Sequence, residues 1–318
     1  MKTYEIPTNI TGDIAEFSEN IQDFRGGDIN PVQFKGIRVG HGVYEQRKDD
    51  TYMVRIRCAG GVVTPSQLRT VAEISAQYAT DHFHVTTRQD LQLHYVGLED
   101  APVVYDKLVA CGLSPRGGGG NTIRNIMASI DSGVASEEAF DVVPYAQALT
   151  ARMISEEDSW NLPRKFKTAF SNSYSDNCEG TITCLGYVAC LQEGVQGFQV
   201  WVGGGMGAKP MPGKKLYDFI PATETYSLMK AIKIMFDKNG NRRKRFQSKL
   251  KFLVDKLGIE EFRKRVEEEW EKVKDSNPEP LDLASYTPSY SSQVKEGYEA
   301  VSLDSADFKV WKQRYATA

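Results

Sequence analysis

Apolar and polar residues alternate in three short runs between residues 52 and 95, a period of two that a sheet buried on one face satisfies. Val54, Ile56 and Cys58 alternate with Arg55 and Arg57. Phe83 and Val85 alternate with His82, His84 and Thr86, and Leu91, Leu93 and Tyr95 with Gln92 and His94. Gly60-Gly61 closes the first run. Thr64-Pro65-Ser66-Gln67 then reads as a capping box with proline at the first helical position, followed by Leu68, Val71, Ala72, Ser75 and Tyr78 at helical spacing. Asp100 to Cys111 reads as a second helix, ended by Gly112. The order β-α-β-β-α predicts an α+β, ferredoxin-like half domain over residues 46–114, with helices covering one face of the sheet.

The other face is the unusual one. Strand alternation puts Arg55, Arg57, His82, His84, Gln92 and His94 on it, gathering three of the chain's four histidines and two arginines. Such a surface suits a large polyanionic ligand.

The rest of the composition makes that clustering local. The chain has 318 residues, 41% hydrophobic content and a formal net charge of −3, enough for about two domains and no global attraction to nucleic acid or an anionic membrane. No apolar run is long enough to span a bilayer, and Met1-Lys2-Thr3-Tyr4-Glu5-Ile6-Pro7 lacks a signal-peptide core, so the expected location is cytoplasmic. The odd count of five cysteines argues for reduced thiols.

Residues 1–45 show no sustained period and read as an arm. Gly117 to Gly120 reads as a flexible joint into a second mixed region, residues 115–275. That region has helix patterns near 144–156, 225–236 and 259–274, an apolar strand pattern over Gly197 to Val202, and a glycine stretch from Gly203 to Gly207 that lets backbone approach something flat or bulky. Residues 276–318 read as a linker and the start of a further segment.

The hexapeptide Leu162-Pro163-Arg164-Lys165-Phe166-Lys167 places three cations in four residues. As a strand it sends Lys165 and Lys167 to one face while Phe166 anchors the other, so the ammonium pair can bind an oxyanion and deliver protons to it. Other clusters have blander readings. His82, His84 and His94 could assemble a three-histidine zinc site, yet no carboxylate stands nearby to orient them. Cys178, Cys184 and Cys190 lack a Cys-x2-Cys pair, and in a strand-like Thr181 to Cys184 segment a buried thiol is the plainer account. Arg242 to Arg245 reads as a solvated helix end.

Taken together, Arg55 to Gly61, Thr86 to His94, Thr122-Ile123-Arg124-Asn125, Leu162 to Lys167 and Val202 to Gly207 resemble the sulfite and nitrite reductase hemoprotein family, in the same order, over about residues 34–270. The resemblance implies a siroheme-side α+β domain after the half domain. It further implies siroheme coupled to a [4Fe-4S] cluster, and six-electron reduction of sulfite to sulfide or nitrite to ammonia, with ferredoxin or a flavoprotein as electron donor. By motif position, Arg55, Arg124, Lys165 and Lys167 correspond to the cations that bind substrate and donate protons. Thr86, Arg88, Gln92 and Arg164 correspond to residues that hold the siroheme, and Arg57 and His94 join them through the shared sheet face.

Two departures from the family pattern stand out. His84 occupies a position where several members carry a siroheme-binding arginine, which makes that contact pH-dependent. No cysteine matches the cluster-ligand motif, so the cluster ligands are expected outside this chain, on a second half supplied by another polypeptide or a continuing chain. Val301 to Trp311 looks like the approach to that half. A non-catalytic tetrapyrrole or anion-binding module and a three-histidine zinc enzyme are the alternatives.

Overall fold

The computed structural model describes residues 3–6, 8, 10–207, 209–287 and 306–315. Two compact units divide the chain, residues 1–287 and 288–318. The larger has an α+β fold with two sheets.

Helices α1 (Ile10–Gly26) and α2 (Pro31–Gly40) come first, where the sequence pattern reads as an arm. The correction has a clear cause. Ile10, Ile14, Phe17 and Ile21 follow helical spacing and are all buried, and Asn30 caps α2 by accepting from Val32 N and Gln33 N at 3.0 Å each. Phe17, Ile21 and Phe34 join the first core, so burying them ties this segment to the half domain at about 2 kcal/mol per side chain.

The first sheet is antiparallel in the order β1-β2-β4-β3, built from β1 (Val43–Glu45), β2 (Thr51–Ile56), β3 (His84–Val85) and β4 (Leu91–Gly97). Helices α3 (Pro65–Tyr78) and α4 (Ala101–Ala110) complete it. The capping box at α3 forms as its sequence predicts. Thr64 Oγ1 accepts from Gln67 N at 3.1 Å, and Gln67 Oε1 accepts from Thr64 N at 2.9 Å.

Strand β3 has only two residues and Val85 is exposed, so the expected run from His82 to Thr86 is cut short. A turn replaces it. Thr86 Oγ1 accepts from Arg88 N at 3.2 Å and Asp90 N at 3.0 Å, while Gln89 takes a left-handed φ of 57°.

The second sheet runs β5-β6-β7-β8-β9 through β5 (Ile123–Ala128), β6 (Phe166–Ser171), β7 (Leu185–Gln192), β8 (Val195–Val202) and β9 (Lys214–Pro221). Its first three strands are parallel and its last three antiparallel. Helix α5 (Val143–Ile154) follows β5, while α6 (Thr225–Asn239), α7 (Leu250–Leu257) and α8 (Ile259–Asp275) follow β9. Aromatic rings fill the core, Phe170 stacking on Tyr187 at 4.7 Å with Phe198 edge-on to both.

Gly117 to Gly120 is a packed crossing rather than a flexible joint. A Cβ on Gly119 would lie 2.2 Å from Val39 O, and one on Gly118 2.7 Å from Arg55 O. In the second unit α9 (Ala306–Tyr315) covers the end of the Val301 to Trp311 segment; residues 288–305 lie outside the described part.

Candidate active site

Strand β6 sets the site. Phe166 is fully buried in the second core, so the pleat turns Lys165 and Lys167 together to the opposite side, as the hexapeptide predicts. They line a cleft of about 700 Å³ between the two sheets, joined there by Arg55 from β2, Arg124 from β5, Arg88 from the 86–90 turn, and Lys249. Six cations thus face two carboxylates, Asp90 and Glu179.

The arginines are fixed by carbonyls. Arg55 Nη1 donates to Gly118 O at 3.0 Å, and Arg124 Nη2 donates to the same oxygen. With the Gln92 amide oxygen turned toward it, Arg55 also donates from Nε at 3.0 Å and Nη2 at 2.8 Å. The Arg55 guanidinium lies over the Tyr44 ring, 5.1 Å from Cζ to the ring centroid. Arg88 reaches across to Asn125 O at 3.1 Å and Thr183 Oγ1 at 3.3 Å, which fastens the first sheet to the second. Gln89 repeats that fastening, pairing with both backbone groups of Ala128 at 2.7 and 3.2 Å.

Electrostatics follow from this crowding. Burial, then Arg124 and Arg164, lowers Lys165 to about 8; burial, then Arg88 and Lys165, lowers Lys167 to about 8. Burial lowers Arg124 to about 10. Asp90, enclosed beneath the cations, is raised to about 6 because desolvation outweighs the pull of Arg57 and Arg124. Arg124 Nε is buried without an acceptor. A buried guanidinium N–H with no protein partner fits an incoming anion.

Of the ten residues singled out in the sequence, seven line this cleft: Arg55, Thr86, Arg88, Gln92, Arg124, Lys165 and Lys167. Three do not. Arg57 sits beyond the end of β2, where its N–H turns to Ser114 O at 3.0 Å, and its guanidinium passes beneath the sheet to Ile123 O at 2.9 Å. It is 1% exposed and lines a separate small cavity with Tyr4 and Trp160. His94 is half-buried against Gln46, Nδ1 to Nε2 3.1 Å, outside the cleft lining. Arg164 lines an adjoining cavity and donates to Asn121 Oδ1 at 3.1 Å.

The three histidines do not converge on a metal. His82 is exposed and pairs with Asp81 at 3.1 Å, while His84 and His94 rings stand 6.1 Å apart. Among the described residues no group of three or more His, Cys, Asp or Glu side chains could hold a metal ion. Cys178 and Cys184 line the cleft but Cys190 does not, and Gly180 to Ile182 is a 3₁₀ turn instead of a strand. Burial pushes the Cys178 thiol up to about 12.

Gly204 to Gly207 lines the cleft, yet its tightest approach is internal, a Gly204 Cβ meeting Ile182 C at 2.6 Å. Lys251 Nζ holds this loop through Gly205 O at 3.2 Å and Lys209 O at 2.6 Å. Arg245 lies exposed beside the adjoining cavity, in the basic run whose Arg242 pairs with Asp237 and donates to Asn161 O at 2.7 Å. Sequence reasoning missed Tyr44 and the Gly118 carbonyl. The glycine run marked the second; nothing in the local pattern marked the first.

The profile described as "Nitrite and sulphite reductase 4Fe-4S domain" matches residues 119–274, and "Nitrite/Sulfite reductase ferredoxin-like half domain" matches residues 44–111. The chain belongs to the sulfite and nitrite reductase family. It is 30% identical over 291 residues to a "Sulfite reductase [ferredoxin]" of Mycobacterium tuberculosis, covering 85% of this chain and 52% of that protein. It is 31% identical over 247 residues to an "Assimilatory ferredoxin-dependent nitrite reductase" of Haloferax mediterranei, covering 72% and 42%. The solved Mycobacterium tuberculosis NirA protein superposes with a TM-score of 0.75 at 29% identity, over 82% of this chain and 51% of that one. Dissimilatory sulfite reductase I shares the fold at a TM-score of 0.60, 12% identity and 99% coverage of this chain. The chain spans about half the length, or less, of the curated relatives it matches. No helix among the described residues is long and apolar enough to cross a membrane.

Proposed function

We propose that this chain is the substrate-side half of a siroheme-dependent reductase acting on sulfite or nitrite. The convergence of six cations on one cleft, with the Arg124 Nε–H buried and unpartnered, carries the reading. A small oxyanion supplies the missing acceptor.

Arg55 and Arg124, tied through one carbonyl, orient the anion, and their fixed geometry needs no rearrangement as charge develops. Lys165 Nζ and Lys167 Nζ donate protons to the oxygens that depart as water. Their lowered values near 8 keep both largely charged at neutral pH while easing proton release.

The cleft's donors also fit the carboxylates of siroheme, held by Thr86, Arg88, Gln92 and Lys249, with Arg164 contacting its edge from the adjoining cavity. Siroheme, when bound, supplies the iron that takes up the oxyanion and passes electrons to it. The [4Fe-4S] cluster does not fit the described residues, which offer no ligand set for it. Its cysteines belong to a second half, on another polypeptide or a continuing chain, and ferredoxin is the proposed electron donor.

Anaerobic co-expression with siroheme synthesis tests this. A visible siroheme band and viologen-driven reduction of sulfite or nitrite are expected only when a polypeptide bearing the cluster cysteines is present. A firm siroheme band from this chain alone contradicts the half-enzyme account; siroheme uptake without reduction in the complete assembly assigns a tetrapyrrole-binding module instead.

A further inference from the structure

Arg57 lies outside the cleft but keeps a full positive charge in the interior, because a guanidinium does not give up its proton there. Its Nη2 donates to Ile123 O at 2.9 Å and to Arg116 O at 3.3 Å, two carbonyls on either side of the glycine crossing. Nε–H and Nη1–H are buried without an acceptor. Arg57 forms part of the wall of a cavity of about 10 Å³, with Tyr4, Asp13, Arg116, Ile154 and Trp160 around it. Tyr4 Oη is buried without a partner as well.

The charge in this wall does not balance. Asp13 is its one carboxylate among the described residues, and Arg116 holds it as an ion pair, Oδ2 to Nε 3.1 Å. Asp90, whose field also reaches Arg57, lines the cleft instead, and its Oδ1 is itself unpartnered. A buried cation without a counter-charge is strongly unfavourable, and a ligand that is negative and accepts several hydrogen bonds removes that cost. Three donors are available to it, Arg57 Nε–H, Arg57 Nη1–H and Tyr4 Oη–H. The volume suits one water or one monatomic ion and is too small for sulfite, nitrite or phosphate.

We propose that this cavity is a halide site, in which chloride accepts from Arg57 and Tyr4 and steadies the glycine crossing that holds Arg55 and Arg124. The ion ties the N-terminal segment, through Tyr4, to the half domain. Arg57, fixed by the ion on one side, grips Arg116 O and Ile123 O on the other, and between them stands the Gly118 carbonyl that receives both cleft arginines. This site is independent of what the cleft reduces.

Bromide substitutes for chloride and scatters anomalously, so crystals grown in sodium bromide are expected to show an anomalous peak in contact with Arg57 and Tyr4. In solution, the thermal unfolding midpoint is expected to rise saturably as sodium chloride replaces sodium gluconate at constant ionic strength. Tyr4→Phe keeps the ring and removes one donor, and is expected to weaken the apparent chloride affinity roughly ten-fold. Arg57→Met is expected to abolish the chloride response; should it fail to fold, Tyr4→Phe decides. A water at Arg57 with no anomalous signal overturns the proposal. So does a chloride response that Tyr4→Phe leaves unchanged, which assigns it to adventitious ions on the surface.

Discussion

Arg55 Nη1 lies 3.0 Å from the carbonyl oxygen of Gly118, sixty-three residues further along the chain, and Arg124 donates to that same oxygen. One peptide group therefore sets the spacing of two guanidinium groups on different sheets. It can do so because the glycine crossing packs against Val39 and Tyr44 with no space for a side chain.

Gly119→Ala tests that crossing. Its Cβ would stand 2.2 Å from Val39 O and 2.5 Å from Tyr44 Oη, so a loss of about 1–3 kcal/mol is expected in chemical denaturation. Gly36→Ala, in α2 with nothing within 4 Å, is expected to gain roughly 0.5–1 kcal/mol. Equal effects of the two would show that the crossing yields easily.

The paired lysines give opposite pH signatures for folding and for anion binding. Both are lowered from 10.5 to about 8, so between those values the unfolded chain binds more protons and stability rises with pH. Nitrite affinity is expected to be full well below pH 8, where both lysines are charged, and to fall as pH rises above it. Replacing both by arginine, which does not titrate there, is expected to flatten the binding profile. A wild-type affinity that stays level from neutral pH to beyond 9 would mean that neither lysine faces the anion.

Thr86 holds its turn through two backbone donors, Arg88 N and Asp90 N. Thr86→Val is expected to cost about 1–3 kcal/mol and to speed hydrogen exchange at both amides, with Thr86→Ser close to wild type. Wild-type exchange in Thr86→Val would assign the turn to its left-handed Gln89 instead.

Lys233 is fully buried on α6 and bonds Glu156, Asp158 and Ser159 Oγ, the last at 3.1 Å. Lys233→Met strands Glu156 in a largely buried position, and thermal unfolding is expected to report a loss of about 3 kcal/mol. A neutral result would mean that Lys230 and Tyr226 alone satisfy that carboxylate.

What the sequence made legible was what short-range physics controls. The capping box of Thr64 and Gln67, the alternation through β2 and along β4 as far as His94, and the pleat that pairs Lys165 with Lys167 all need only neighbours along the chain; Tyr95, expected on the apolar face, is instead exposed at a left-handed φ of 64°. Arg57 escaped that logic because Ser114, distant in sequence, captures its N–H where β2 leaves β4, and the alternation ends with it. The missed α1 is different. Its spacing of Ile10, Ile14, Phe17 and Ile21 was present, and the many polar residues between them concealed the stripe. Tyr44 had no local signal at all, since its position between two cavities exists only after both sheets have packed.

Lys165 and Lys167 are proposed to serve proton-coupled reduction rather than cofactor retention. The direct measurement is the turnover and siroheme content of Lys167→Met in an assembly completed by the cluster-bearing half. Turnover is predicted to fall roughly 100-fold or more with siroheme absorbance per chain unchanged. A parallel fall in both would exclude the proton-donating role and make Lys167 a cofactor-holding residue.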